Sequence, residues 1–381
     1  VGGLDYNSNQ NNHAFDTHRD PGSSIKPIVA YGPAIDMGLM GSASRLSNYP
    51  TKFASGEPIM HDTSAGTQEM MTLQDALDTS WNIPAYWTYQ TILKSGNSVK
   101  PYMSKMNYQV KNYQYESLPL GGGLDPTVVQ HTNGYQTLLN GGQYDPYYVI
   151  DSIKDGNGKE IYKHQSQPVQ VYSKATSSIM AELLKGPIKS QKTTTFYGQL
   201  SNLNSTLAGA DWVGKTGTSN DFVDAWLMVA TPAVTLSSWV GHDNNTPMAA
   251  MTGYNNNSQY VAQLANSIYQ ANPDVFGIAQ RFTLDPSVTK STVLTATGEK
   301  PGTFTGGGYT NFTLSGPTTT SYWAKPEGAP TTQYKFAIGG SDSDYADAWT
   351  KILGSNTGNN ANNNAGNTTS SSTDNANKKK P

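Results

Sequence analysis

Cysteine is absent from this chain of 381 residues, and charge of either sign is sparse. Without cysteine the chain has no thiol catalysis, no disulfide and no cysteine-ligated zinc. Charged residues make up 14% of it, with 25 basic against 28 acidic side chains, so no strong electrostatic field calls for a nucleic acid partner. No segment approaches the roughly 18 consecutive apolar residues of a membrane-spanning helix. The composition therefore predicts a soluble chain whose ligand is neither a polyanion nor a lipid.

Signals for metals and nucleotides are also missing. The six histidines show no metal-ligand spacing, and each is expected to be an ordinary surface or core residue. They are His13, His18, His61, His131, His164 and His242. The run Gly121-Gly122-Gly123 lacks the lysine and the following helix start of a phosphate-binding loop. The sequence therefore predicts no metal and no cofactor.

The length and the pattern along the chain predict one large domain with a small appendage. Residues 1–282 are expected to form the large domain, and residues 283–353 a small β-rich module. Strand-sized segments in the module are 291–296, 309–314 and 333–336. Residues 354–381 are rich in Asn, Ser, Thr and Gly and are predicted to be a disordered tail. The opening Val1-Gly2-Gly3 is typical of a strand end that turns into a loop, which predicts that the chain is a fragment of a longer protein.

The large domain is expected to mix helices with an antiparallel sheet. β-rich runs separated by short turns predict three consecutive antiparallel strands, at 212–218, 225–230 and 234–240. Apolar spacing and capping residues predict helices on either side of them. The predicted helices are 23–37, 72–79, one that starts at Ile83-Pro84, 128–139, 175–184 and 256–269. Pro33 is expected to end or kink the first of them.

Three short motifs occur in order along this domain. They are Ser23-Ser24-Ile25-Lys26, Ser80-Trp81-Asn82 and Lys215-Thr216-Gly217-Thr218-Ser219. The first starts a predicted helix, the second lies between two predicted helices and the third lies on a predicted strand. Each alone occurs by chance in many proteins, but their conjunction indicates one catalytic site.

Ser23 and Lys26 are the predicted nucleophile and base. Residues three apart lie on one face of a helix, so Lys26 can place its amine beside the Ser23 hydroxyl. A serine hydroxyl needs a neighbouring base, and a lysine can serve only if burial or a nearby cation lowers its pKa. Lys215 is a candidate for that cation. Ser24 is the rival nucleophile, but Lys26 follows it by two positions and points about 200° away around the helix.

Longer stretches around the motifs carry a family resemblance. They are residues 19–27, 73–85 and 140–142 and Trp239-Val240-Gly241-His242-Asp243. Together with the three motifs they resemble the transpeptidase domain of class A high-molecular-weight penicillin-binding proteins of the Gram-positive type, over about residues 1–280. The resemblance implies an α+β (mixed) fold of the penicillin-binding protein and serine β-lactamase type, with helices flanking an antiparallel sheet and a cleft between the sheet edge and a helical subdomain.

The resemblance also implies a role for each residue of the first two motifs. Ser23 would be acylated by the D-alanyl-D-alanine end of a peptidoglycan stem peptide and by β-lactam antibiotics, with Lys26 as the base. Ser80 would relay the proton to the leaving D-alanine, and Asn82 would orient Lys26 and bind the substrate amide. Trp81 is bulky for its position and is expected either to shape the cleft wall or simply to pack.

The strand motif is expected to line the other side of the cleft. Gly217 would let the backbone approach the ligand, and the hydroxyls of Thr216, Thr218 and Ser219 would bind its carboxylate, so that the peptide adds as a strand. The oxyanion is expected between the backbone N–H groups of Ser23 and Thr218.

The implied reaction is D,D-transpeptidation, in which the acyl group passes to an amine of a second stem peptide. A D,D-carboxypeptidase would use the same residues with water as the acceptor. A β-lactam sensor or cell-wall-binding module, acylated once without turnover, is the alternative from another class. A β-lactamase would add a glutamate that activates water. Glu116 lacks the glutamate-x-x-leucine-asparagine context of those enzymes and is expected to be structural.

The resemblance finally implies a longer bifunctional protein, with a glycosyltransferase domain and an N-terminal anchor, on the extracytoplasmic face of the membrane. The expected partners are peptidoglycan stem peptides and β-lactam antibiotics, with cell-division or elongation proteins as further candidates. The membrane would be reached only through the anchor. The β-rich module after Phe282 would bind wall polymer or protein partners, and its sequence favours neither.

Overall fold

A computed structural model describes residues 11–356 of the chain. Within this range the α-helices, α1 to α10 in chain order, are Gly32–Asp36, Leu73–Asp78, Asn82–Lys94, Lys100–Lys105, Val128–Leu139, Lys174–Ser190, Phe196–Leu203, Ser205–Ala208, Ser258–Ala271 and Asp342–Asn356. Short 3₁₀ segments are Gly22–Ile25, Leu118–Leu120, Asn220–Phe222 and Pro273–Phe276, and π-helical segments are Pro27–Tyr31 and Gly253–Asn257.

The strands, β1 to β14 in chain order, are Arg45–Ser47, Met70–Thr72, Gln143–Tyr144, Ser152–Lys154, Glu160–Lys163, Val169–Gln170, Val213–Thr218, Asp224–Ala230, Thr235–Gly241, Thr289–Leu294, Thr303–Gly306, Tyr309–Thr313, Thr318–Trp323 and Ala337–Ile338. They form two three-stranded sheets, in the orders β7-β8-β9 and β14-β1-β2. The remaining strands pair as β3 with β6, β4 with β5, β10 with β13 and β11 with β12.

The sheet β7-β8-β9 confirms the three antiparallel strands that the sequence predicts. Its middle strand pairs along its length with both neighbours, for example Trp226 opposite Gly217 on one side and opposite Trp239 on the other. Every residue of β8 is buried, which is expected of a central strand covered on both faces.

Helices cover both faces of this sheet, because alternate side chains of β8 point into two different cores. Trp226 and Met228 pack into the larger core, with side chains of α5, α6 and the helical segment that follows Ser23. Leu227 and Val229 pack into a second core with side chains of α7 and α9. The sheet is thus held between two helical layers, and β7 is left at its edge.

Residues 22–36 are helical, as predicted, but they do not form one uniform α-helix. A 3₁₀ turn carries Ser23, a π-helical turn follows from Pro27, and α-helical hydrogen bonding begins at Gly32. Pro33 does not end the helix, which continues to Asp36. A proline in the first turn of a new helical segment costs little, because its missing N–H would have no partner there.

The C-terminal segment is less purely β-structured than its sequence suggests. Strands β10 and β12 lie near two of the expected segments, but residues 333–336 form no strand. The helix α10 was not expected, and its Trp349 packs with Phe304 and Phe336. Strand β14, Ala337–Ile338, pairs in parallel with β1, Arg45–Ser47, and so joins the C-terminal segment to an early part of the chain.

The predicted disordered tail falls almost wholly outside the described residues. Its first three residues, 354–356, end helix α10. None of the helices within residues 11–356 is both long and apolar enough to cross a membrane.

Candidate active site

The turn that carries Ser23 lies directly against strand β7. Gly22 has a φ of 50°, and a Cβ at this position would collide with the carbonyl oxygen of Thr218. From the strand side, a Cβ on Gly217 would collide with the carbonyl oxygen of Pro21 and come within 2.8 Å of Ser24 Oγ. Two glycines, one on each element, therefore allow the close approach of the two backbones.

The pairing of β7 with β8 determines which backbone groups face this turn. The Ser219 N–H donates to the Asp224 carbonyl at 3.1 Å, and Thr218 lies opposite Ala225. Hydrogen-bonded and non-hydrogen-bonded pairs alternate along an antiparallel ladder, so Thr218 is in a non-hydrogen-bonded pair. Its N–H and C=O point away from β8, towards the turn that carries Ser23.

Ser23 and Ser24 have opposite surroundings. Ser24 is buried, its Oγ donates to the Pro21 carbonyl at 2.6 Å, and His131 Nε2 lies 2.8 Å from the same oxygen. Ser23 is partly exposed, and its Oγ has no hydrogen-bond partner among residues 11–356. Of the two hydroxyls, only that of Ser23 is available to a ligand in the cleft.

The three sequence motifs meet at the hydroxyl of Ser80. Lys215 Nζ donates to Ser80 Oγ at 2.6 Å, and Lys26 Nζ lies 3.4 Å from the same oxygen. Lys26 Nζ also donates to the Ser80 carbonyl at 2.5 Å, to the Trp81 carbonyl at 3.1 Å and to Asn82 Oδ1 at 2.6 Å. The second motif therefore holds the lysine of the first and contacts the lysine of the third.

Local structure explains why Ser80 reaches both lysines. Ser80 stands in the tight connection between α2 and α3 with a φ of 59°, and its N–H and that of Trp81 donate back to the end of α2. The Thr72 side chain caps the start of α2 by accepting from the Asp75 N–H, as its position predicts. Asn82 is the first residue of α3, which fixes its side chain beside Lys26.

Both lysine amines are almost completely removed from water. Burial lowers the pKa of Lys26 well below its ordinary value, and the positive charge of Lys215 lowers it further. Burial also lowers the pKa of Lys215 to about 7, and the negative charge of Asp78 opposes this change. An amine whose pKa is lowered gives up its proton more easily, which is what a lysine base requires.

The third motif contributes its residues unequally. Lys215 is 1% exposed and Thr216 is buried near it, while Thr218 is exposed. The Ser219 hydroxyl donates to Asp224 Oδ2 at 2.8 Å and accepts from the Asp224 N–H at 2.9 Å. This hydroxyl closes the connection between β7 and β8. Of the three hydroxyls predicted to bind the ligand carboxylate, those of Thr216, Thr218 and Ser219, it is the one that has protein partners within residues 11–356.

A loop of residues 50–66 forms the wall of the site beyond Asn82. The Asn82 Nδ2 donates to the Met60 carbonyl at 2.7 Å, and the His61 ring lies 4.6 Å from the Trp81 ring. Burial and the charges of Lys26 and Lys215 lower the pKa of His61 to about 4, so this ring is neutral at physiological pH. Trp81 thus packs against the His61 ring of this loop.

Glu116 holds the same loop in place. Its carboxylate accepts from the Ala54 N–H at 2.7 Å and from the Tyr86 hydroxyl at 3.2 Å. Both of its oxygens are thus engaged in contacts between the loop and the helical subdomain. These contacts agree with the structural role expected from the sequence context of Glu116.

Asp20 is a site residue that the sequence analysis did not single out. Its Oδ1 accepts from the Gly22 N–H at 2.7 Å, directly before Ser23. Burial raises the pKa of this carboxyl to about 6, against the opposing effect of the Gly22 hydrogen bond. The only sequence signal was its place in the stretch of residues 19–27 that precedes and includes the first motif.

The fold that positions these residues is found in penicillin-binding proteins. Penicillin-binding protein 1A of Haemophilus influenzae superposes with a TM-score of 0.66 at 20% identity, over 88% of this chain and 52% of that one. The PonA1 protein of Mycobacterium tuberculosis, solved in complex with penicillin V, gives a TM-score of 0.54 at 20% identity, over 68% of this chain and 73% of that one. At such identities the likeness concerns the fold.

Sequence comparison identifies the family. Residues 2–272 match the family described as the penicillin binding protein transpeptidase domain, and the chain belongs to this family. Penicillin-binding protein 4 of Bacillus subtilis strain 168 is 32% identical over 251 residues, which are 64% of this chain and 38% of that protein. Penicillin-binding protein 1F of the same strain is 30% identical over 249 residues, 64% of this chain and 33% of that protein. The chain spans about a third of the length of these curated relatives.

Proposed function

We propose that this chain is a peptidoglycan D,D-transpeptidase domain that works through an acyl-enzyme on Ser23. The observation that carries the proposal is the meeting of two buried lysine amines at the Ser80 hydroxyl. Burying two amines side by side costs free energy, and strongly perturbed lysines are typical of catalytic sites. Membership of the transpeptidase family supports the reaction class.

Acylation uses Ser23 as the nucleophile and Lys26 as the base. Lys26 Nζ takes the proton of Ser23 Oγ while this oxygen attacks the carbonyl carbon of the penultimate D-alanine. The oxyanion that forms is bound by the backbone N–H groups of Ser23 and Thr218, and the outward direction of the Thr218 N–H supports this assignment. The open hydroxyl of Ser23 supports it over Ser24, whose hydroxyl is buried and bonded.

Proton transfer to the leaving group passes through Ser80. When the peptide C–N bond breaks, the departing D-alanine nitrogen needs a proton, and the Ser80 hydroxyl supplies it. Lys26 then returns to Ser80 the proton that it took from Ser23, and the contact with Lys215 stabilises the partial negative charge on Ser80 Oγ during the transfer. An amine of a second stem peptide attacks the acyl-enzyme and releases Ser23 by the same steps in reverse.

Substrate binding is assigned to the edge of β7, a strand that pairs with β8 alone within residues 11–356, and to the Asn82 side. The stem peptide adds to β7 as a strand beside Gly217, and the hydroxyls of Thr216 and Thr218 bind the terminal carboxylate. Ser219 joins them only if its hydroxyl leaves Asp224. Asn82 Nδ2 exchanges the Met60 carbonyl for the substrate amide, with Trp81 as the adjoining wall.

We further propose that the chain is the transpeptidase part of a longer bifunctional protein with a glycosyltransferase domain. Its curated relatives are about three times as long as the matched segment, which supports this view. The site would then work on the extracytoplasmic face of the membrane, reached through an N-terminal anchor.

A fluorescent penicillin tests the acylation step. The chain and its Ser23→Ala and Ser24→Ala variants are incubated with the reagent, and any adduct is located by peptide mass spectrometry. We expect an adduct on Ser23 in the parent and in Ser24→Ala, and none in Ser23→Ala. An adduct elsewhere, or no adduct on a chain that unfolds cooperatively, contradicts the proposal.

A peptide or thioester analogue of the stem peptide tests the rest of the reaction. Repeated release of the leaving group, with transfer of the acyl group to an added amine, is expected. Hydrolysis without transfer would identify a carboxypeptidase instead. A single equivalent of release without turnover would identify a β-lactam sensor.

A further inference from the structure

A chain of buried polar side chains lies behind the turn that carries Ser23. The Tyr108 hydroxyl is 2.8 Å from His131 Nδ1, and His131 Nε2 is 2.8 Å from Ser24 Oγ. All three residues are buried, and His131 is 0% exposed. His131 stands on α5 and Tyr108 follows α4, so two separate elements converge on the residue next to the nucleophile.

The direction of each hydrogen bond in this chain follows from its first member. Ser24 Oγ has one proton, and it lies 2.6 Å from the Pro21 carbonyl, which can only accept. Ser24 Oγ must therefore accept from His131 Nε2–H, which leaves His131 Nδ1 as the acceptor of the Tyr108 hydroxyl. Burial lowers the pKa of His131 to about 3, so the ring is neutral and keeps this single tautomer.

Helix α5 holds Ser24 at a second point. The Tyr135 hydroxyl donates to the Ser24 carbonyl at 2.6 Å. His131 and Tyr135 are four positions apart and so lie on one face of the helix. The His131 ring is also fixed edge-on between Tyr135 and Trp226, each with its ring centre 5.4 Å away. The hydroxyl and the carbonyl of Ser24 thus both contact side chains of one helix.

The Ser24 hydroxyl that His131 contacts also faces strand β7. A Cβ on Gly217 would meet the Pro21 carbonyl oxygen and would come within 2.8 Å of Ser24 Oγ. The position of Ser24 Oγ therefore sets the spacing between the Ser23 turn and residues 217–218. That spacing separates the two backbone N–H groups assigned to the oxyanion.

We propose that His131 is a positioning residue of the acyl-transfer site. Through Ser24 it holds the Ser23 turn against Gly217 and Thr218 and fixes the distance between the two oxyanion donors. The inference rests on the proposed function, and it concerns geometry in the transition state and not substrate binding. It follows that loss of the Nε2–H donor slows acylation without weakening the binding of the β-lactam.

Three substitutions of His131 separate this role from a merely structural one. His131→Gln keeps an N–H donor near the Nε2 position, His131→Asn keeps polar atoms only near the Nδ1 position, and His131→Leu keeps neither. The acylation rate at saturating penicillin and the half-saturating concentration are measured for each variant, together with its thermal midpoint. Thr137→Val is the matched control. It removes a buried hydroxyl from the same helix, and this hydroxyl donates to the Asn133 carbonyl of that helix.

We expect His131→Gln to acylate within about threefold of the parent. His131→Asn and His131→Leu should lose about tenfold or more in the saturated rate, which corresponds to about 1.4 kcal/mol of barrier, with the half-saturating concentration within twofold. Thr137→Val should acylate like the parent. No loss in the Asn and Leu variants, or losses that follow the thermal midpoints in all four variants, overturns the inference. If Leu prevents folding, the Gln and Asn pair still decides it.

The tautomer provides a test that does not depend on acylation. Nitrogen-15 NMR of labelled histidine should show a ring protonated on Nε2 alone that does not titrate between pH 5 and 8, and Ser24→Ala should change its signal. If the His131 ring titrates in this range, or is protonated on Nδ1, the inference is overturned even if Ser23 is acylated. A parent chain that is not acylated at all would instead overturn the proposed function.

Discussion

The candidate active site and the hairpin β4-β5 break the usual distribution of polar and apolar residues in opposite ways. At the site, Lys26 and Lys215 are buried together. In the hairpin every strand residue is exposed, including Ile161 at 62%. Burying an amine costs free energy, whereas an exposed isoleucine costs little. Only the buried lysines therefore need compensating interactions from the rest of the fold. The buried hydrogen bonds around Ser80 and Ser24 provide these interactions.

Removal of the base should give the largest effect. Lys26→Met is expected to lower the rate of Ser23 acylation by about 100- to 10,000-fold, because general base catalysis typically contributes that much. The variant should remain folded, since methionine fills the space without a buried amine. Acylation kinetics with a fluorescent penicillin measure the rate, and circular dichroism monitors the fold.

Lys111→Met is the matched control for that substitution. Lys111 is exposed and forms an ion pair with Asp125 at 3.0 Å. It should acylate like the parent. An acylation rate for Lys26→Met within tenfold of the parent would show that another group takes the Ser23 proton.

Removal of Lys215 should lower the acylation rate less than removal of Lys26, and it should also change the dependence of that rate on pH. Lys215 lowers the pKa of Lys26 through its positive charge. In Lys215→Met this effect is gone, so the pKa of Lys26 rises and a higher pH is needed to obtain the neutral amine. We expect the acid limb of the acylation profile to move to higher pH, with a loss of about 10- to 100-fold at neutral pH from the missing hydrogen bonds to Ser80 and Thr216. An acid limb at the same or a lower pH would contradict the coupling of the two amines.

Asp20 should affect stability more than catalysis. Its pKa is raised from 3.8 to about 6 in the folded chain, so the folded state binds this proton more tightly than the unfolded state does. Its contribution to the free energy of unfolding is therefore fully present below pH 4 and is lost as the pH rises through 6. Asp20→Asn keeps the acceptor for the Gly22 N–H and removes the charge. The stability of the variant relative to the parent should rise between pH 4 and 7 by about 1 to 3 kcal/mol.

Urea unfolding of both proteins at several pH values measures this difference. Asp285→Asn is the control, because the pKa of Asp285 is lowered by hydrogen bonds from Ser287 and the sign of its pH dependence is reversed. A stability difference for Asp20→Asn that is constant with pH would mean that the carboxyl titrates normally.

Local patterns were sufficient to predict the scaffold of the site. Runs of β-prone residues between turn residues placed β7, β8 and β9 within a residue of their ends, and apolar spacing gave Val128–Leu139 with both ends correct. The three motifs were also recognisable in the sequence, because their spacing reflects local geometry, and the structure brings them together at Ser80. Lys26 stands three positions after Ser23 in a helical segment, and Ser80 and Asn82 share one connection.

Contacts between distant segments could not be predicted in this way. His131 shows no local sign that it reaches Ser24, because 107 positions separate the two residues. Strand β14 has two residues, and its partner β1 is almost 300 positions away, so no alternation pattern reveals it. The helix α10 also escaped notice, because the surrounding Thr, Gly and Ser residues suggested strands and turns. The raised pKa of Asp20 could not be predicted either, because it depends on burial by residues that are brought together only in the folded chain.

The smallest effect on stability is expected in the hairpin β4-β5. The same substitution, isoleucine to threonine, can be made there and at a buried position. Ile161→Thr should change the free energy of unfolding by no more than about 0.5 kcal/mol and leave acylation unchanged, because the side chain is exposed. Ile179→Thr, at a fully buried position of α6, should cost about 2 to 4 kcal/mol from the cavity and the buried hydroxyl. Urea unfolding of the two variants measures the contrast. Suppose that Ile161→Thr lowered the free energy of unfolding as much as Ile179→Thr. The hairpin would then have to pack against a surface that residues 11–356 do not provide, and its apolar residues would stabilise the fold as the core does.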